Sequence, residues 1–339
     1  IGWRLCIDPL VCTAMRSADV IIVGGGPAGS SCAWRLKQQG IDCLILDKES
    51  FPRHKLCAGW ITPEVVDDLE LDIATYPYRF LTFKKLLFHF PVLGIRPLTT
   101  QHSIRRYEFD AWLLERSAAP VEIHTVRSIS MEGDEYIIDQ KYRCKHLVGA
   151  GGTRCPVYRE LFRDKTPREK RKQVVTLEQE FPYDYQDDRC HLWFMEKGLP
   201  GYAWYVPKAD GYVNVGIGGF AARLKQQNDD IKSHWNRLVN KLERQKLVQG
   251  HNYEQKGYSY YVRGKVEVCR IDNAFITGDA AGLATKDMAE GIGPAVKSGL
   301  MAADSIVNGL PYDLDTIARK SFDAKQLALS ALLRKPYTP

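Results

Sequence analysis

The segment FPRHKLCAGW places three basic side chains, Arg53, His54 and Lys55, just ahead of Cys57. Such cations would favour the thiolate form of the cysteine, because nearby positive charge lowers the pKa of a thiol. A thiolate is a strong nucleophile, whereas donation of a proton requires the thiol form. A third interpretation is steric, since Cys57 and Ala58 are small residues that would let the backbone approach a bound ring.

A second group of residues that could form a binding site is rich in glycine. Gly24, Gly26 and Gly29 form a G-x-G-x-x-G pattern between the apolar run VIIV and a predicted helix. The first glycine makes a tight turn, the second lets the backbone approach a pyrophosphate, and the third lets the helix pack on the strand. Asp47 ends the next predicted strand, where a carboxylate can accept hydrogen bonds from ribose hydroxyls. The segment therefore predicts a βαβ unit that binds a dinucleotide.

The glycine pattern alone does not distinguish FAD from NAD(P), but a segment nearer the C-terminus does. Gly278 and Asp279 follow the predicted strand AFIT, and Gly291 and Ile292 precede a predicted helix of small residues. The N-terminus of such a helix could hold a polar or anionic group. This pattern resembles the second flavin-binding motif of the para-hydroxybenzoate hydroxylase-like flavoproteins. The resemblance implies that Gly278 contacts the cofactor, that Asp279 binds the ribityl chain and that the backbone at Gly291 and Ile292 lies along the flavin pyrimidine edge.

Two further segments match the same flavoproteins. The resemblance implies an FAD contact by Arg106, in RRYEFDAWLLE, and a backbone contact between Val126 and the adenine. Taken alone, RRYEFDAWLLE is equally typical of an ordinary amphipathic helix. The resemblance also implies FAD contacts in the glycine-rich and FPRHKLCAG segments, by Gly24, Gly26, Ala28, Gly29, Asp47, Lys48, Arg53, Cys57 and Ala58.

The segment LPGYAWYVPKADGYVNVGIGG predicts two strands joined by a turn, with Tyr202, Trp204 and Val206 on one face. An aromatic stripe at this spacing most often belongs to a hydrophobic core. The segment is also similar to the Y-x-W-x-F-P signature of the geranylgeranyl reductase family. Val206 replaces the phenylalanine of the signature, and Pro207 matches its proline. The resemblance implies an aromatic cavity beside the flavin and catalytic roles for Cys57, Tyr202 and Trp204.

The resemblance implies an FAD-dependent oxidoreductase that reduces C=C bonds of a prenyl or similar hydrophobic substrate by hydride transfer from reduced flavin. Two alternatives stay open. YAWYVP is also similar to the W-x-W-x-I-P motif of flavin halogenases, which favours a monooxygenase or halogenase acting on an aromatic substrate. The other alternative is an accessory flavoprotein that transfers electrons. Gly151 stands where the family usually has an aspartate, so the electron donor is left open between NAD(P)H and reduced ferredoxin.

The resemblance implies that these segments are positioned by an α/β fold in which a mixed-sheet substrate domain interrupts a Rossmann-type FAD-binding domain, as in the para-hydroxybenzoate hydroxylase-like flavoproteins. The predicted FAD-binding domain comprises residues 18–75, 104–162 and 265–311. The predicted substrate domain comprises residues 76–103 and 163–264. We interpret the remaining segments as an N-terminal extension, 1–17, and a C-terminal helical tail, 312–339.

The charge and cysteine content of the chain argue against some classes of function. The 339 residues include 47 basic and 41 acidic side chains, a mild net charge of +6 that does not indicate nucleic-acid binding. We interpret the basic cluster RDKTPREKRKQ as a solvated loop rather than a patch for anionic lipid or nucleic acid. Nine cysteines without a C-x-x-C pair favour reduced thiols over a disulfide framework or a metal site. We expect a cytoplasmic protein with at most peripheral membrane contact, a hydrophobic substrate and, in some schemes, an electron-donor protein as partner.

Overall fold

The computed structural model describes residues 15–91 and 94–322. The strands in chain order are β1 Arg16–Val23, β2 Cys43–Asp47, β3 Trp60–Ile61, β4 Leu81–His89, β5 Gly94–Ile95, β6 Leu98–Ser103, β7 Val121–Ile123, β8 Ile129–Glu132, β9 Glu135–Ile138, β10 Tyr142–Gly149, β11 Gln173–Pro182, β12 Cys190–Phe194, β13 Gly201–Lys208, β14 Tyr212–Phe220, β15 Lys256–Tyr261, β16 Arg270–Ile271 and β17 Ala274–Ile276. The α-helices are α1 Pro27–Gln38, α2 Pro63–Asp68, α3 Arg106–Arg116, α4 Ala221–Gln226, α5 Ile231–Arg244, α6 Gly278–Ala281 and α7 Ile292–Asn308.

The first sheet contains the predicted βαβ unit. Its strands follow the order β16-β17-β10-β1-β2-β7, with β8 and β9 attached beside β10. The central pairs β10 with β1, β1 with β2, and β2 with β7 are parallel. β2 is buried along its whole length, which explains why it reads as a continuous apolar run. The carboxyl ends of these parallel strands meet at one edge, where the glycine-rich turn lies.

The second sheet has nine strands in the order β15-β11-β14-β13-β12-β4-β6-β3, with β5 paired to β4. Its pairs are antiparallel except for the parallel pair β12 with β4, so the sheet is mixed. The predicted hairpin is confirmed as β13 and β14, joined through residues 209–211. The α/β fold with a Rossmann-type unit and a mixed sheet is therefore confirmed.

The mixed sheet has two different faces. Its outer face packs against α5, where Tyr205 and Val215 contact a cluster that includes Trp235. Its inner face carries Trp204 and packs with Met288 from the segment between α6 and α7. The inner face is therefore directed toward the segments that resemble flavin-binding motifs.

The domain boundaries drawn from the sequence stay a prediction. β1 begins at Arg16, two positions ahead of the predicted start of the FAD-binding domain. Residues 1–14 of the predicted extension and residues 323–339 of the predicted tail lie outside the described residues. The described part of the tail contains the short 3₁₀ turn Leu314–Thr316. In residues 15–91 and 94–322, no helix combines the length and apolar character needed to cross a bilayer.

Close packing of α1 on α7 holds the two glycine-containing motifs together. A Cβ added to Gly29 would collide with the carbonyl oxygen of Gly24, and one added to Gly299 would collide with that of Ala28. A Cβ added to Gly278 would lie 3.5 Å from the Cβ of Ala28. The two motifs, far apart in sequence, are therefore adjacent in the fold.

We predict that Gly299→Ala lowers the free energy of unfolding by about 1–3 kcal/mol, because the new methyl group overpacks the α1–α7 contact. Alanine in an exposed helix interior would instead stabilise by up to about 1 kcal/mol, so the sign of the change is diagnostic. Urea denaturation measures it. The matched control is Gly257→Ala, where the nearest atom to an added Cβ is 3.5 Å away and little change is expected. A Gly299→Ala protein as stable as the parent would contradict the packing argument.

Candidate active site

The glycine-rich turn forms a cradle of backbone at the end of β1. Gly24 has φ +111°, and its N–H donates to the carbonyl oxygen of Leu46 at 2.8 Å. A Cβ at Gly24 would lie 2.5 Å from the carbonyl oxygen of Ala150, so this conformation requires glycine. α1 begins directly after Gly26, and no side chain of the described residues caps its N-terminus. Its first N–H groups are therefore available to an anionic group such as a pyrophosphate.

Asp47 braces this turn. Its Oδ2 accepts a hydrogen bond from Gly25 N at 2.7 Å, and its Oδ1 accepts one from Glu49 N at 3.0 Å. The ribose contact that the sequence predicted for Asp47 stays a prediction. The hydrogen bonds by which Asp47 stabilises the turn were not predicted from the sequence. Val126 is buried just beyond β7, whereas Lys48 is exposed and paired with Glu49 at 3.1 Å.

The predicted cofactor-contacting arginines lie together beside the turn. Nη2 of Arg53 is 3.5 Å from the position of a Cβ on Gly26. Arg106 makes two hydrogen bonds to the buried Asp110 carboxylate, at 2.5 and 2.7 Å. Arg53 lies 3.7 Å from the same carboxylate. Asp110 thus neutralises part of this positive charge and fixes the orientation of Arg106.

A cleft of about 790 Å³ opens next to the turn, between the 51–54 loop and α3. Phe51 and Leu114 line this cleft and also lie within 3.4 Å of a Cβ added to Gly25. The volume falls in the range of about 300–1,000 Å³ that is typical of ligand sites. The cleft is therefore large enough to admit part of a dinucleotide beside the glycine-rich turn.

The second motif converges at the N-terminus of α7. Gly278 has φ +51°, and its N–H donates to the hydroxyl of Ser298 at 2.9 Å. Oδ1 of Asp279 lies 3.4 Å from the position of a Cβ on Gly291, so this carboxylate faces the backbone ahead of Ile292. The structure thus brings Asp279, which the sequence assigned to the ribityl chain, close to Gly291 and Ile292, which it assigned to the pyrimidine edge.

The environment of Cys57 differs from the one that its neighbours in sequence suggest. Lys55 lies over the ring of Tyr258 at 3.2 Å, and His54 packs on Tyr107. Burial raises the pKa of the Cys57 thiol, and the guanidinium of Arg106 opposes this effect only in part. Sγ accepts a hydrogen bond from Gly59 N at 3.3 Å. Burial therefore favours the thiol, although this hydrogen bond and Arg106 both lower its pKa, and a catalytic role for Cys57 stays a prediction.

A buried lysine that the sequence did not single out clamps the loop after Cys57. Lys208 is fully buried, and its Nζ donates to the carbonyl oxygens of Ala58, Gly59 at 2.7 Å and Ile104 at 2.9 Å. Burial lowers the pKa of Lys208 to about 8, which still leaves the ammonium charged at neutral pH. The end of β13 is thereby attached to the loop that contains Ala58.

The aromatic pair of the hairpin contacts both motif-bearing segments. Trp204 Nε1 donates to Oδ1 of Asn214 at 2.7 Å, and Nδ2 of Asn214 donates to the carbonyl oxygen of Cys57 at 3.2 Å. The hydroxyl of Tyr202 donates to the carbonyl oxygen of Met288 at 2.5 Å. Asn214, which sequence reasoning missed, therefore links Trp204 to the Cys57 loop by hydrogen bonds. The ring of Tyr202 lies next to that of Trp204, with centroids 5.8 Å apart, and its hydroxyl links the hairpin to the segment ahead of α7.

Comparisons with known proteins agree with this arrangement. Residues 22–85 match the model of the NAD(P)-binding Rossmann-like domain. An uncharacterized protein of Methanosarcina barkeri is 30% identical, over 91% of this chain and 80% of that protein. The menaquinone reductase of Mycobacterium tuberculosis is 26% identical, over 85% of this chain and 76% of that protein.

Solved structures share the fold. The chain is similar to a geranylgeranyl bacteriochlorophyll reductase-like protein of Thermoplasma acidophilum, with a TM-score of 0.72, 19% identity and coverage of 94% of this chain and 83% of that one. It is also similar to the flavin-dependent halogenase CmlS, with a TM-score of 0.69, 19% identity and coverage of 86% of this chain and 58% of that one.

We predict that Lys208→Met destabilises the protein by several kcal/mol and weakens FAD binding, because three buried carbonyls lose their donor at about 1–3 kcal/mol each. Methionine keeps most of the length of the lysine stem, so lost volume is a minor effect. Urea denaturation and titration of the flavin-free protein with FAD measure the two changes. The control is Lys256→Met at the exposed start of β15, where we expect a change below about 0.5 kcal/mol. Unchanged stability and FAD affinity in Lys208→Met would contradict the role of the clamp.

Proposed function

We propose that this chain, which belongs to the geranylgeranyl reductase family of FAD-dependent oxidoreductases, reduces C=C bonds of a prenyl chain or a similar hydrophobic substrate. The observation that carries the proposal is that the inner face of the mixed sheet contacts both the Cys57 loop and the segment ahead of α7. Tyr202 reaches Met288, ahead of α7, while Trp204 reaches the Cys57 loop through Asn214.

The chain's own residues fit FAD. The backbone cradle at Gly24 and the uncapped start of α1 suit the pyrophosphate, with Arg53 beside them. Asp279 and the backbone at Gly291 suit the ribityl chain and the ring edge. Reduced FAD would supply a hydride at this site. We assign the remaining contacts to Ala28, Lys48, Ala58, Arg106, Val126 and Ile292, as the resemblance implies.

The inner sheet face would bind and orient the substrate. An isolated alkene has no carbonyl to polarise, so its reduction depends on close positioning, a dry cavity and a proton donor. Apolar side chains around Trp204, among them Leu192 and Val206, form a buried cluster that would exclude water. We keep Cys57, Tyr202 and Trp204 as the residues that contact the reacting groups. Either NAD(P)H or a reduced ferredoxin-type protein would be the electron donor.

We expect the dithionite-reduced protein to be reoxidised by a prenyl acceptor in the absence of oxygen. The acceptors are a geranylgeranyl substrate and menaquinone, which carries a prenyl chain on a quinone ring. Flavin absorbance reports reoxidation, and mass spectrometry after exposure to air reports the product. A quinol returns to the quinone in air, so a retained gain of two hydrogens identifies reduction of the chain.

Other outcomes of these assays would contradict the proposed function or favour one of the two alternatives. Absence of reoxidation and of any mass gain with every prenyl acceptor would contradict it. Oxygen consumption with NAD(P)H oxidation that an aromatic substrate stimulates would favour the monooxygenase or halogenase alternative. Rapid electron exchange with a carrier protein, without product, would favour an accessory flavoprotein.

Variants of the predicted catalytic residues separate chemistry from positioning. Because Sγ of Cys57 accepts a hydrogen bond within its own loop, we expect Cys57→Ser and Cys57→Ala to retain FAD and to react within about tenfold of the parent rate. A loss of about 10²–10⁴-fold in Cys57→Ala, with FAD retained, would instead identify the thiol as the proton donor. Tyr202→Phe should weaken substrate or FAD binding through the lost contact to Met288. Its control is Tyr205→Phe, on the outer face of the same strand, which should leave both affinities unchanged.

A further inference from the structure

A carboxylic acid is buried in the middle of the inner sheet face. Glu178 lies in β11 and is 2% exposed. In the register of the sheet it stands opposite Gly216, which in turn stands opposite Trp204. A Cβ on Gly216 would lie 2.7 Å from the Cβ of Glu178 and would collide with the indole of Trp204. The glycine therefore allows the indole and the carboxyl to lie side by side on the inner face.

The orientation of this carboxyl is set by the same network that holds the Cys57 loop. The indole N–H of Trp204 can only donate, so the oxygen of the Asn214 amide must face it. The amide nitrogen is then directed away from the indole, and it donates to Oε2 of Glu178 at 3.3 Å and to the carbonyl oxygen of Cys57 at 3.2 Å. Glu178 is thus hydrogen-bonded to an amide group that also contacts the Cys57 loop.

Charged groups on several elements influence the pKa of Glu178. Burial raises the pKa of Glu178 to about 7, whereas Asn214, Lys55 from the loop and Lys208 from β13 oppose this rise. Glu180, on the same strand, adds to it. Lys256 stands opposite in β15 but is exposed to solvent. Near neutral pH, both the acid and the carboxylate are therefore populated.

The other proton-bearing groups of this region are tyrosines and a cysteine with raised pKa values, and a second carboxyl, Glu290, at the start of α7. The hydroxyls of Tyr202 and Tyr260 donate to the carbonyl oxygens at 288 and 289, and burial raises the pKa of each well above its ordinary value. The pKa of Cys57 is also raised by burial. Burial also raises the pKa of Glu290 to about 7, but this carboxyl accepts a hydrogen bond from Gly293 N at 2.7 Å at the start of α7, whereas Glu178 lies beside Trp204 on the inner sheet face.

We propose that Glu178 holds the proton that the site delivers to its substrate. This inference rests on the proposed function. Bound reduced FAD would supply a hydride, with its two electrons, to one carbon of the alkene as the π bond breaks. The O–H bond of Glu178 breaks, and its proton forms the C–H bond at the other carbon. The resulting carboxylate regains a proton from solvent before the next turnover.

Single-turnover reoxidation of the dithionite-reduced holoenzyme by a geranylgeranyl substrate tests this role. We expect E178Q to retain FAD and to react about 10²–10⁴-fold more slowly than the parent. The parent rate should fall as the pH rises through about 7, since the acid form is the reactive one, and E178Q should lack this fall. E180Q is the control on the same strand: it should keep the low-pH rate and the fall with rising pH, shifted to lower pH because Glu180 raises the pKa of Glu178. Equal rates in E178Q and the parent would overturn the proposal.

An infrared titration without substrate provides a second readout that does not depend on turnover. We expect protonated carboxyl signals of the parent to disappear with midpoints near pH 7, and we expect E178Q to lack the component of Glu178 while it keeps that of Glu290. E180Q should keep both components, with that of Glu178 shifted to lower pH. A parent protein whose titrating carboxyl signals are unchanged in E178Q would overturn the proposal. If the parent reduces no prenyl acceptor, the proposed function is wrong, and the infrared result alone then decides whether Glu178 holds a proton.

Discussion

The ammonium of Lys208, bound to three backbone carbonyls, is the interaction on which the geometry of the site depends. A buried charge without partners would cost several kcal/mol, so the loop and the hairpin must keep their mutual position for the charge to be tolerated. This clamp fixes Ala58 and Gly59 against β13, and Asn214 fixes Cys57 from the next strand. The loop is therefore held at backbone level, independently of the chemistry of the cysteine side chain.

An apolar sheet face with a few fully bonded polar groups suits a reaction that needs both dryness and a proton. Trp204, Asn214 and Glu178 form a connected path of hydrogen bonds and contacts within an otherwise apolar cluster. Low local polarity strengthens such bonds and makes an unsatisfied group costly, so a path of this kind keeps its geometry. The outer face, which packs on α5, has no direct part in the site and stabilises the sheet.

The features that could be predicted from sequence are those whose determinants are local. The glycine turn, Asp47 and the Y-x-W hairpin are set by short patterns, and the structure contains each of them in the expected element. Lys208 and Glu178 were not predicted, because lysine and glutamate in strands are ordinarily exposed and their partners lie far away in the chain. The same cause applies to Cys57: the sequence shows nearby cations that favour the thiolate, but it does not show the burial that raises the thiol pKa despite the opposing effects of Arg106 and Lys55.

In the proposed enzyme, the inner sheet face, the Cys57 loop and the start of α7 enclose one reaction chamber. A crystal structure of the FAD-loaded protein with a saturated prenyl analogue tests it most directly. The account predicts that the flavin ring lies between Ala58 and Gly291, with the prenyl chain along Tyr202 and Trp204 and within reach of Glu178. An analogue bound elsewhere, for example in the cleft between the 51–54 loop and α3, would contradict the account.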